Sequence, residues 1–437
     1  MMERTLAHGE PPPDAAAGTK VARQIGVYRL ERRLGEGGMA EVWLAEQTTP
    51  VRRPVAVKLI KAGMDSQRVL ARFEAERQTL ALMVHPAIAR VYDGGTTPEG
   101  RPYFVMEYVP GVPITEHCDR ERLPLRPRLD LFVQVCEGVH HAHQKAIIHR
   151  DLKPSNVLVA VVDGRPLPKI IDFGIAKAID QRLADRPLFT ELGSLVGTPE
   201  YMSPEQADPA VEDIDTRADV YSLGAMLYEL LSGQLPFASK DLRGSSLEEL
   251  RRKIRDVDPP APSARVGRTS QDGESAAQGR QTDADTLSRE LRGDLDAIAM
   301  KALEKERSRR YGSPSELAAD IGRYLRNEPV LARRAGAGYR LRKYVRRNRT
   351  ATVLTAIAFL ATVAGVVGTA TQARTARRQR DFALGQLSRA EAINDLNVFL
   401  LSDAAPSGKP FTATQLLARA EHIIERQRSK PDASGVE

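Results

Sequence analysis

Hydrophobic and polar residues alternate along several short stretches in the first quarter of the chain, which is the pattern of β-strands. Between the third and the fourth of these stretches, hydrophobic residues recur at helical spacing over Gln67–Met83. The pattern therefore predicts a small, mostly β unit that contains one helix. Its predicted strands are Tyr28–Leu34, Ala40–Glu46, Val55–Ile60 and Tyr103–Tyr108.

The pattern changes beyond this unit to long stretches in which hydrophobic residues recur every three or four positions. One stretch interrupts it, because residues 263–287 are polar and rich in Gly, Ser and Gln. We expect this insert to be unstructured. The chain is therefore expected to be an α+β protein whose second unit is helical. The predicted helices of that unit include Leu125–Lys145, Ala218–Leu231, Arg292–Leu303 and Ser313–Leu325.

A long apolar stretch, Thr350–Ala373, contains no charged residue and is dominated by Ala, Val, Leu, Ile and Thr. Its length is close to what crosses a bilayer as one helix. Arginine clusters bracket both ends, which favours a transmembrane helix at 350–373 over a buried core helix. Beyond it, Arg374–Leu401 and Thr412–Gln427 have helical spacing and predict a helical C-terminal tail at 374–437.

The charge of the chain is unevenly distributed. The formal net charge is +7, yet Leu331–Thr350 alone carries eight basic residues and no acidic one. Because this segment adjoins the apolar stretch, anionic lipid headgroups explain it better than nucleic acid. Only five arginines follow in Gln372–Ala390, so the positive-inside rule places the preceding part in the cytoplasm. We therefore expect a single-pass protein of the inner (plasma) membrane, with a basic juxtamembrane linker at 328–349.

The two cysteines and the N-terminal residues indicate a reducing compartment. Cys118 and Cys136 have no metal-ligand spacing, and two isolated cysteines are typical of a cytosolic domain. Residues 1–24 are rich in Pro, Ala and Gly and lack the apolar core of a signal peptide. We expect them to form a disordered lead.

Two short motifs carry the clearest chemistry. The first is His149–Asn156, with the sequence HRDLKPSN, and the second is Asp172–Gly174, which begins sixteen positions after Asn156. They supply a carboxylate base, a cation and two metal-binding side chains, which suits phosphoryl transfer. Asp151 would accept the proton of an attacking hydroxyl, and Lys153 would neutralise the transferring phosphate. Asn156 and Asp172 would hold Mg²⁺ between the phosphates.

These two motifs resemble the catalytic and metal-binding loops of the eukaryotic-like protein kinase superfamily, as found in bacterial membrane Ser/Thr kinases. The resemblance extends over roughly Tyr28–Leu325, about two-thirds of the chain. It implies the two-lobed kinase fold, with a small β-rich N-lobe at about 25–108 and a larger helical C-lobe at about 109–327. It also implies ATP and Mg²⁺ (or Mn²⁺) as cofactors and protein Ser/Thr hydroxyls as substrates.

The stretch Leu34–Val42 resembles the glycine-rich loop that covers the phosphates of ATP in this family. Glycines let the backbone approach the phosphates closely and present N–H donors to them. The third glycine of the family pattern is Ala40 here, which predicts tighter geometry. The nucleotide-binding residues implied for this loop are Leu34, Gly35, Glu36, Gly37, Gly38 and Val42.

The stretch Val55–Lys58 resembles the strand whose lysine pairs with the α- and β-phosphates. Strand alternation puts Ala56 and Lys58 on the same face, toward the cleft. A carboxylate of the following helix is expected to hold this lysine. Glu74 and Glu76 are both candidates, and the family spacing favours Glu76.

The stretch Phe104–Val109 resembles the strand and hinge beside the adenine ring. Met106 would line the back of the adenine pocket, and backbone groups of Glu107 and Val109 would bond the adenine edge. Apolar side chains would cover the two faces of the ring. The side chains implied for this contact are Val42, Ala56 and Leu158.

The resemblance also implies regulatory and supporting residues around an activation segment, Asp172–Glu205. Lys153 together with Thr198 is the pattern of Ser/Thr rather than Tyr kinases. Arg150, directly before the catalytic aspartate, is an unpaired cation that a phosphate in the segment would satisfy. The phosphate acceptors predicted are Thr190 and, second, Ser194. Glu205 is expected to pair with Arg310, and Asp219 to hold the backbone of the catalytic loop.

Two functions of different classes fit this sequence. The first is an active membrane-tethered kinase, and the second is a pseudokinase that serves as a scaffold at the membrane. The residues Lys58, Asp151 and Asp172, which pseudokinases usually lose, are all present and favour the first. A homodimer is also possible, because small residues form a stripe along the apolar stretch. The stripe consists of Ala361, Gly365 and Thr369.

Overall fold

The computed structural model consists of two compact units, residues 1–347 and residues 348–437. The predicted helix Gln67–Met83 lies outside the described residues except for Met83, which is buried. The described residues are 24–37, 40–61, 83–173, 199–208, 210–211, 213–237, 247–266, 271–333 and 336–403, with eight more between 412 and 425.

The N-terminal part of the first unit is a twisted antiparallel sheet. Its strands are β1 (Gln24–Ile25), β2 (Tyr28–Glu36), β3 (Ala40–Gln47), β4 (Arg53–Ile60), β5 (Val91–Thr96) and β6 (Pro102–Glu107). They are hydrogen-bonded in the order β1-β2-β3-β4-β6-β5. The four strands expected from the alternating pattern therefore all lie in one sheet.

Strand β4 lies between β3 and β6 in the sheet, and its side chains are buried on both faces because a hydrophobic cluster packs on each side. Val55, Val57 and Leu59 pack in a hydrophobic cluster of the N-terminal sheet. Ala56 belongs instead to the main core of the unit, on the opposite face. Since side chains alternate along a strand, Lys58 projects on the same face as Ala56.

The rest of the first unit is mainly helical and contains a second, three-stranded sheet. The strands of that sheet are β7 (Val112–Pro113), β8 (Val157–Val162) and β9 (Arg165–Ile170). The helices are α1 (Ile114–Arg120), α2 (Leu125–His143), α3 (Pro204–Ala207), α4 (Arg217–Ser232), α5 (Leu247–Asp256), α6 (Pro262–Arg265), α7 (Gln271–Gln278), α8 (Ala284–Leu291), α9 (Asp294–Ala302), α10 (Pro314–Leu325) and α11 (Ala337–Arg347).

Helix α4 is the central element of this helical part, and fourteen of its sixteen residues are buried. One position lets α9 come very close. A Cβ atom at Gly224 would lie 2.8 Å from the Cβ of Ala302, which is too short for two carbon atoms. A helix that is buried on nearly all sides lies in the middle of a core. The surrounding elements therefore hold α4 rigidly, including its first turn.

The expectation that residues 263–287 are unstructured is wrong, because α6, α7 and α8 cover most of this stretch. The few apolar side chains are placed where they reach the core, and Ala277 and Leu287 are fully buried. Arg280 is also buried, and its guanidinium donates to the carbonyl groups of Ala276 (2.7 Å) and Leu230 (2.8 Å). The prediction from composition failed because it counted every polar residue as exposed. Arg280 is buried instead, and backbone carbonyl groups accept its hydrogen bonds.

The second unit is dominated by one continuous helix, α12 (Arg349–Asp403), of 55 residues. The predicted apolar helix and the predicted amphipathic helix after it are therefore one element, since no proline interrupts them. Within the described residues α12 is the helix that contains an apolar stretch long enough to cross a bilayer. Of the predicted helix Thr412–Gln427, only isolated positions are described.

Candidate active site

The loop after α2 brings Asp151, the expected catalytic base, between a lysine and an asparagine. The Nζ atom of Lys153 lies 2.8 Å from Oδ2 of Asp151. The side-chain amide of Asn156 donates to the backbone carbonyl of Asp151 at 2.8 Å and to its Oδ2 at 3.2 Å. Because Asn156 sits in a short 3₁₀ turn, its position is fixed by the backbone. The carboxylate of Asp151 is thus oriented but still about half exposed to a substrate.

The buried carboxylate of Asp219, in the first turn of α4, holds the backbone of this loop through hydrogen bonds. It accepts the backbone N–H groups of His149 and Arg150, both at 2.8 Å, and pairs with Nε2 of His143 at 2.7 Å. Burial alone would raise the pKa of Asp219, but the hydrogen bonds from His143 and His149 outweigh it and lower the pKa. The group therefore stays ionised at neutral pH.

Two residues of the site adopt left-handed backbone conformations that are uncommon for residues other than glycine. Arg150 has a φ of 68° and Asp172 a φ of 64°. The hydrogen bond to Asp219 holds Arg150 on its N–H side, and Gln206 donates to its carbonyl at 2.7 Å. Such strain is characteristic of functional sites, where surrounding contacts enforce it.

The metal-binding loop is joined to the catalytic loop by a histidine and a phenylalanine. The ring of His149 packs edge-on against Phe173, with centroids 4.7 Å apart, and its Nε2 lies 3.0 Å from the carbonyl of Ile171. The next residue, Asp172, places its Oδ1 2.9 Å from Nζ of Lys58. The lysine of the sheet and the aspartate of the loop therefore meet across the cleft.

Among the described residues Lys58 pairs with Asp172. Glu76, the partner expected from the family spacing, lies outside the described residues, so that expectation stays a prediction. Glu74, the alternative, lies outside them as well. The contact brings the lysine and the expected metal-binding carboxylate to one point of the cleft.

The side chains available for a divalent cation are oxygen donors. Asp172 offers a carboxylate, and Asn156 donates through its nitrogen and leaves its amide oxygen for a metal. Such donors match the preference of Mg²⁺, which usually takes few protein ligands and shares the rest with phosphate and water. Accordingly, no cluster of three or more His, Cys, Asp or Glu side chains in the described part of the chain could hold a metal on its own. The residues fit a metal that arrives with a nucleotide.

The strand register places the expected adenine contacts side by side. Ala56 on β4 is opposite Met106 on β6, and both side chains are buried. The N–H of Glu107 donates to the carbonyl of Arg90 at 2.8 Å, and the carbonyl of Glu107 is the group expected to accept from an adenine amine. The carbonyl of Val109 accepts from Gly111, which leaves the N–H of Val109 for a ring nitrogen. Val42 and Leu158 are half-buried.

The glycine-rich turn between β2 and β3 is partly described. Gly35 pairs with Val42, and the N–H of Gly37 donates to the carbonyl of Ala40 at 2.9 Å, which closes the turn. Gly38 lies outside the described residues, and the side chain of Leu34 is exposed. The carboxylate of Glu36 accepts a hydrogen bond from Lys61, which lowers its pKa.

The far end of the activation segment is fixed to the helical core by an ion pair. Arg310 donates to both carboxylate oxygens of Glu205, at 2.6 and 2.7 Å, and both side chains are buried. Ser203 caps α3 and forms a capping box with Gln206. Since Gln206 also donates to the catalytic loop, this end of the segment contacts the site directly.

Three supporting residues could not be assigned from the sequence. His143, His149 and Gln206 act through contacts between segments far apart in the chain, although the Ser-x-x-Gln spacing of a capping box was a usable signal for the last. The expected regulatory residues Thr190 and Ser194, and the specificity residue Thr198, lie outside the described residues. The Nε atom of Arg150 is buried without a hydrogen-bond partner in the described part of the chain.

Comparison with known proteins identifies relatives of this chain. Residues 28–319 match the protein kinase domain family. The serine/threonine-protein kinase PknB of Mycobacterium tuberculosis is 38% identical over 69% of this chain and 43% of its own length. Pkn1 of Myxococcus xanthus, also a serine/threonine-protein kinase, is 38% identical over 56% of this chain and 34% of its own. The solved PknI kinase domain of M. tuberculosis is 25% identical, covers 69% of this chain and 97% of its own, and has a TM-score of 0.49.

The family match covers well over half of the chain, so the fold and the site define a protein kinase domain with its two lobes. The chain belongs to the protein kinase family, and the relatives it resembles are named serine/threonine-protein kinases. It spans about two-fifths or less of the length of these curated relatives.

Proposed function

We propose that this protein transfers the γ-phosphate of ATP to serine and threonine hydroxyls of other proteins. The observation that carries the proposal is the arrangement around the cleft. Asp151 is flanked by Lys153 and Asn156 on one loop, and Lys58 meets Asp172 beside it. Phosphoryl transfer needs these groups for positioning and charge neutralisation rather than for covalent chemistry.

The residues have distinct roles in this reaction. A substrate hydroxyl donates a hydrogen bond to the carboxylate of Asp151, which takes its proton as the oxygen attacks the γ-phosphorus and the bond to ADP breaks. Lys153 neutralises the transferring phosphoryl group. Asn156 and Asp172 would hold Mg²⁺, which supplies charge neutralisation at the β- and γ-phosphates. Lys58 binds the α- and β-phosphates.

The test compares the full chain with an Asp151→Asn variant, using ATP, Mg²⁺ and a library of serine- and threonine-containing peptides. Loss of the base should lower kcat by about 10²–10⁴-fold. Asp163→Asn makes the same chemical change in the exposed turn between β8 and β9 and should leave kcat unchanged. Equal activity of all three proteins would refute the assignment.

The alternative is a pseudokinase that binds nucleotide or partners as a scaffold. The presence of Lys58, Asp151 and Asp172 in one cleft argues against it. The two functions differ in one measurement. A scaffold would be stabilised against heat by ATP and Mg²⁺ yet would release no ADP, and Asp151→Asn would then change neither property.

We further infer that activity rises when the activation segment is phosphorylated, with Thr190 as the first acceptor and Ser194 as the second. The support is Arg150, whose Nε atom is buried with no hydrogen-bond partner among the described residues. A phosphate nearby would provide charge-assisted hydrogen bonds to this cation.

Mass spectrometry of the chain after incubation with ATP and Mg²⁺ would locate the phosphate. The Thr190→Ala, Ser194→Ala double variant should lose most of the activation that preincubation with ATP gives to the unmodified chain. If the double variant is fully active, this part of the proposal is wrong.

We also propose that α12 crosses the inner membrane once and leaves the kinase domain in the cytoplasm. Its apolar window and the surplus of basic residues before it support this orientation. The basic segment would then lie near anionic lipids, and the stripe of Ala361, Gly365 and Thr369 would suit a homodimer. Resistance to carbonate extraction, together with digestion of the kinase domain only in opened cells, would test the anchor.

A further inference from the structure

Helix α11, in the basic segment before α12, has two faces of different character. One face contacts the helical lobe of the kinase domain. The Nζ atom of Lys343 lies 2.6 Å from a carboxylate oxygen of Asp294, and only 11% of the lysine side chain is exposed. One turn earlier, the hydroxyl of Tyr339 accepts the backbone N–H of Val330 at 3.1 Å. This face therefore fixes α11 to the lobe.

The chain that leads into α11 is fixed as well. Asp320 in α10 is fully buried, and its carboxylate accepts the backbone N–H groups of Leu331 at 2.6 Å and Ala332 at 2.8 Å. The same carboxylate accepts the hydroxyl of Tyr311 at 2.9 Å. A buried carboxylate with this many donors is a rigid attachment. The orientation of α11 on the lobe thus follows from contacts before and along the helix.

The opposite face of α11 is apolar and exposed to solvent. Leu341, Tyr344 and Val345 are 64%, 55% and 38% exposed. Their spacing of three and four positions puts them on one stripe of the helix. Three large apolar side chains side by side on a surface are typical of an interaction site rather than of isolated exposure.

Arginines border this stripe on both sides. At 100° per residue, Arg340 and Arg342 lie on opposite edges of it. Neither forms an ion pair or a side-chain hydrogen bond with another described residue, and α11 contains no acidic residue. An apolar stripe between unpaired cations is the composition of helices that lie in the headgroup region of an anionic membrane.

Other occupants explain the surface less well. Nucleic acid would use the arginines but would leave Leu341 and Val345 without a role. A second copy of the same helix would bring equal positive charges together, which is unfavourable. The position in the chain also favours a bilayer, because α12 begins at Arg349, two residues after α11 ends.

We propose that the outer face of α11 lies in the headgroup region of an anionic bilayer while its inner face holds the helical lobe. This inference rests on the proposed membrane anchoring by α12. Its consequence is that the kinase domain is seated on the membrane surface through Lys343 and Asp294, instead of moving freely on a linker. Substrates close to the inner leaflet would then be the ones within reach.

The test places a fluorescent probe on this face of the full chain. Tyr344→Trp is made in a Trp43→Phe background, since Trp43 is the single natural tryptophan. The protein is reconstituted in vesicles of phosphatidylcholine, with or without phosphatidylglycerol, that contain brominated lipids. We expect blue-shifted emission and roughly threefold stronger quenching in the anionic vesicles.

Two variants serve as controls. Val257→Trp in the same background labels an exposed position after α5 and should not be quenched. Arg340→Gln with Arg342→Gln removes exposed charges without touching the inner face, and it should reduce the quenching of the probe at position 344 in anionic vesicles.

The outcomes separate this inference from the membrane anchor. A chain that resists carbonate extraction but shows no quenching at position 344 would overturn the docking of α11 and leave the anchor intact. Blue-shifted emission without quenching by brominated lipid would mean that protein covers the face, which also overturns it. A chain that carbonate extracts and that shows no quenching would overturn both.

Discussion

Two buried aspartates of the helical lobe, Asp219 and Asp320, make the same kind of contact but fix different segments of the chain. Each is fully buried in a helix and accepts two consecutive backbone N–H groups from another segment. Asp219 holds the catalytic loop, whereas Asp320 holds the chain that leads to α11. The resemblance to kinases pointed to the first, and nothing in the sequence marked the second. A buried carboxylate that accepts backbone N–H groups therefore indicates that a segment is fixed. Its importance for function depends on whether that segment belongs to the active site.

Substitution of Asp219 should have the largest effect. In Asp219→Asn the amide nitrogen faces N–H donors instead of accepting from them, and the contact between a carboxylate and His143 is lost. We expect the free energy of unfolding to fall by about 3 kcal/mol. Peptide phosphorylation should fall at least 10²-fold, because the backbone before Asp151 is no longer fixed. Urea unfolding and a peptide kinase assay measure the two effects, and Asp163→Asn is the matched control.

Substitution of Asp320 should separate stability from catalysis. Asp320→Asn should lower the free energy of unfolding by about 2 kcal/mol, since Tyr311 and two N–H groups lose a charged acceptor. Phosphorylation of a soluble peptide should stay within about twofold of the unmodified chain, because none of these contacts reaches the cleft.

Hydrogen exchange should locate the effect of the same variant, with faster exchange at the amides of Leu331 and Ala332. A loss of peptide kinase activity as large as that of Asp219→Asn would show that the two carboxylates do not act on separate segments.

The smallest effect concerns the pH dependence of the Asp219 contact. The pKa of Asp219 is lower in the folded chain than the ordinary value for aspartate, so its stabilisation is complete above that ordinary value and is lost as the pH falls through the folded one. The difference in unfolding free energy between the unmodified chain and Asp219→Asn should be constant from about pH 8 to 5 and shrink only below about pH 4. A difference that already shrinks between about pH 7 and 6 would contradict the lowered pKa of Asp219.

The sequence was sufficient for four of the six strands of the N-terminal sheet, because hydrophobic and polar positions alternate along these stretches. The short strand β1 and strand β5 were not predicted. Alternation alone placed Ala56 and Lys58 on the cleft side of β4, where the structure has them. The helices α2, α4, α9 and α10 likewise follow from hydrophobic spacing. Local patterns predict these elements because each one buries a face whose period is visible in the sequence.

The site was less accessible to the same reasoning. The motif spacing indicated Asp151, Asn156 and Asp172, but it gave no sign that Lys58 pairs with Asp172. The contacts of His143 and Gln206 join residues dozens of positions apart, and no periodicity records such a contact. The sequence therefore indicates which residues supply the chemistry, whereas the polar contacts between distant residues are visible only in the three-dimensional structure.

The buried guanidinium of Arg280 bears on where this chain tolerates change. Its donors bind the carbonyl groups at the end of α4 and on α7, so helices that look like a removable polar loop are attached to the central helix of the domain. Deleting residues 263–287 to obtain a shorter kinase domain would remove Arg280 and Leu287, leave the carbonyl of Leu230 without this donor and open a cavity where Leu287 packs. Length variation in related chains should consequently avoid this stretch, and insertions should be accepted more readily at exposed turns such as that of Asp163.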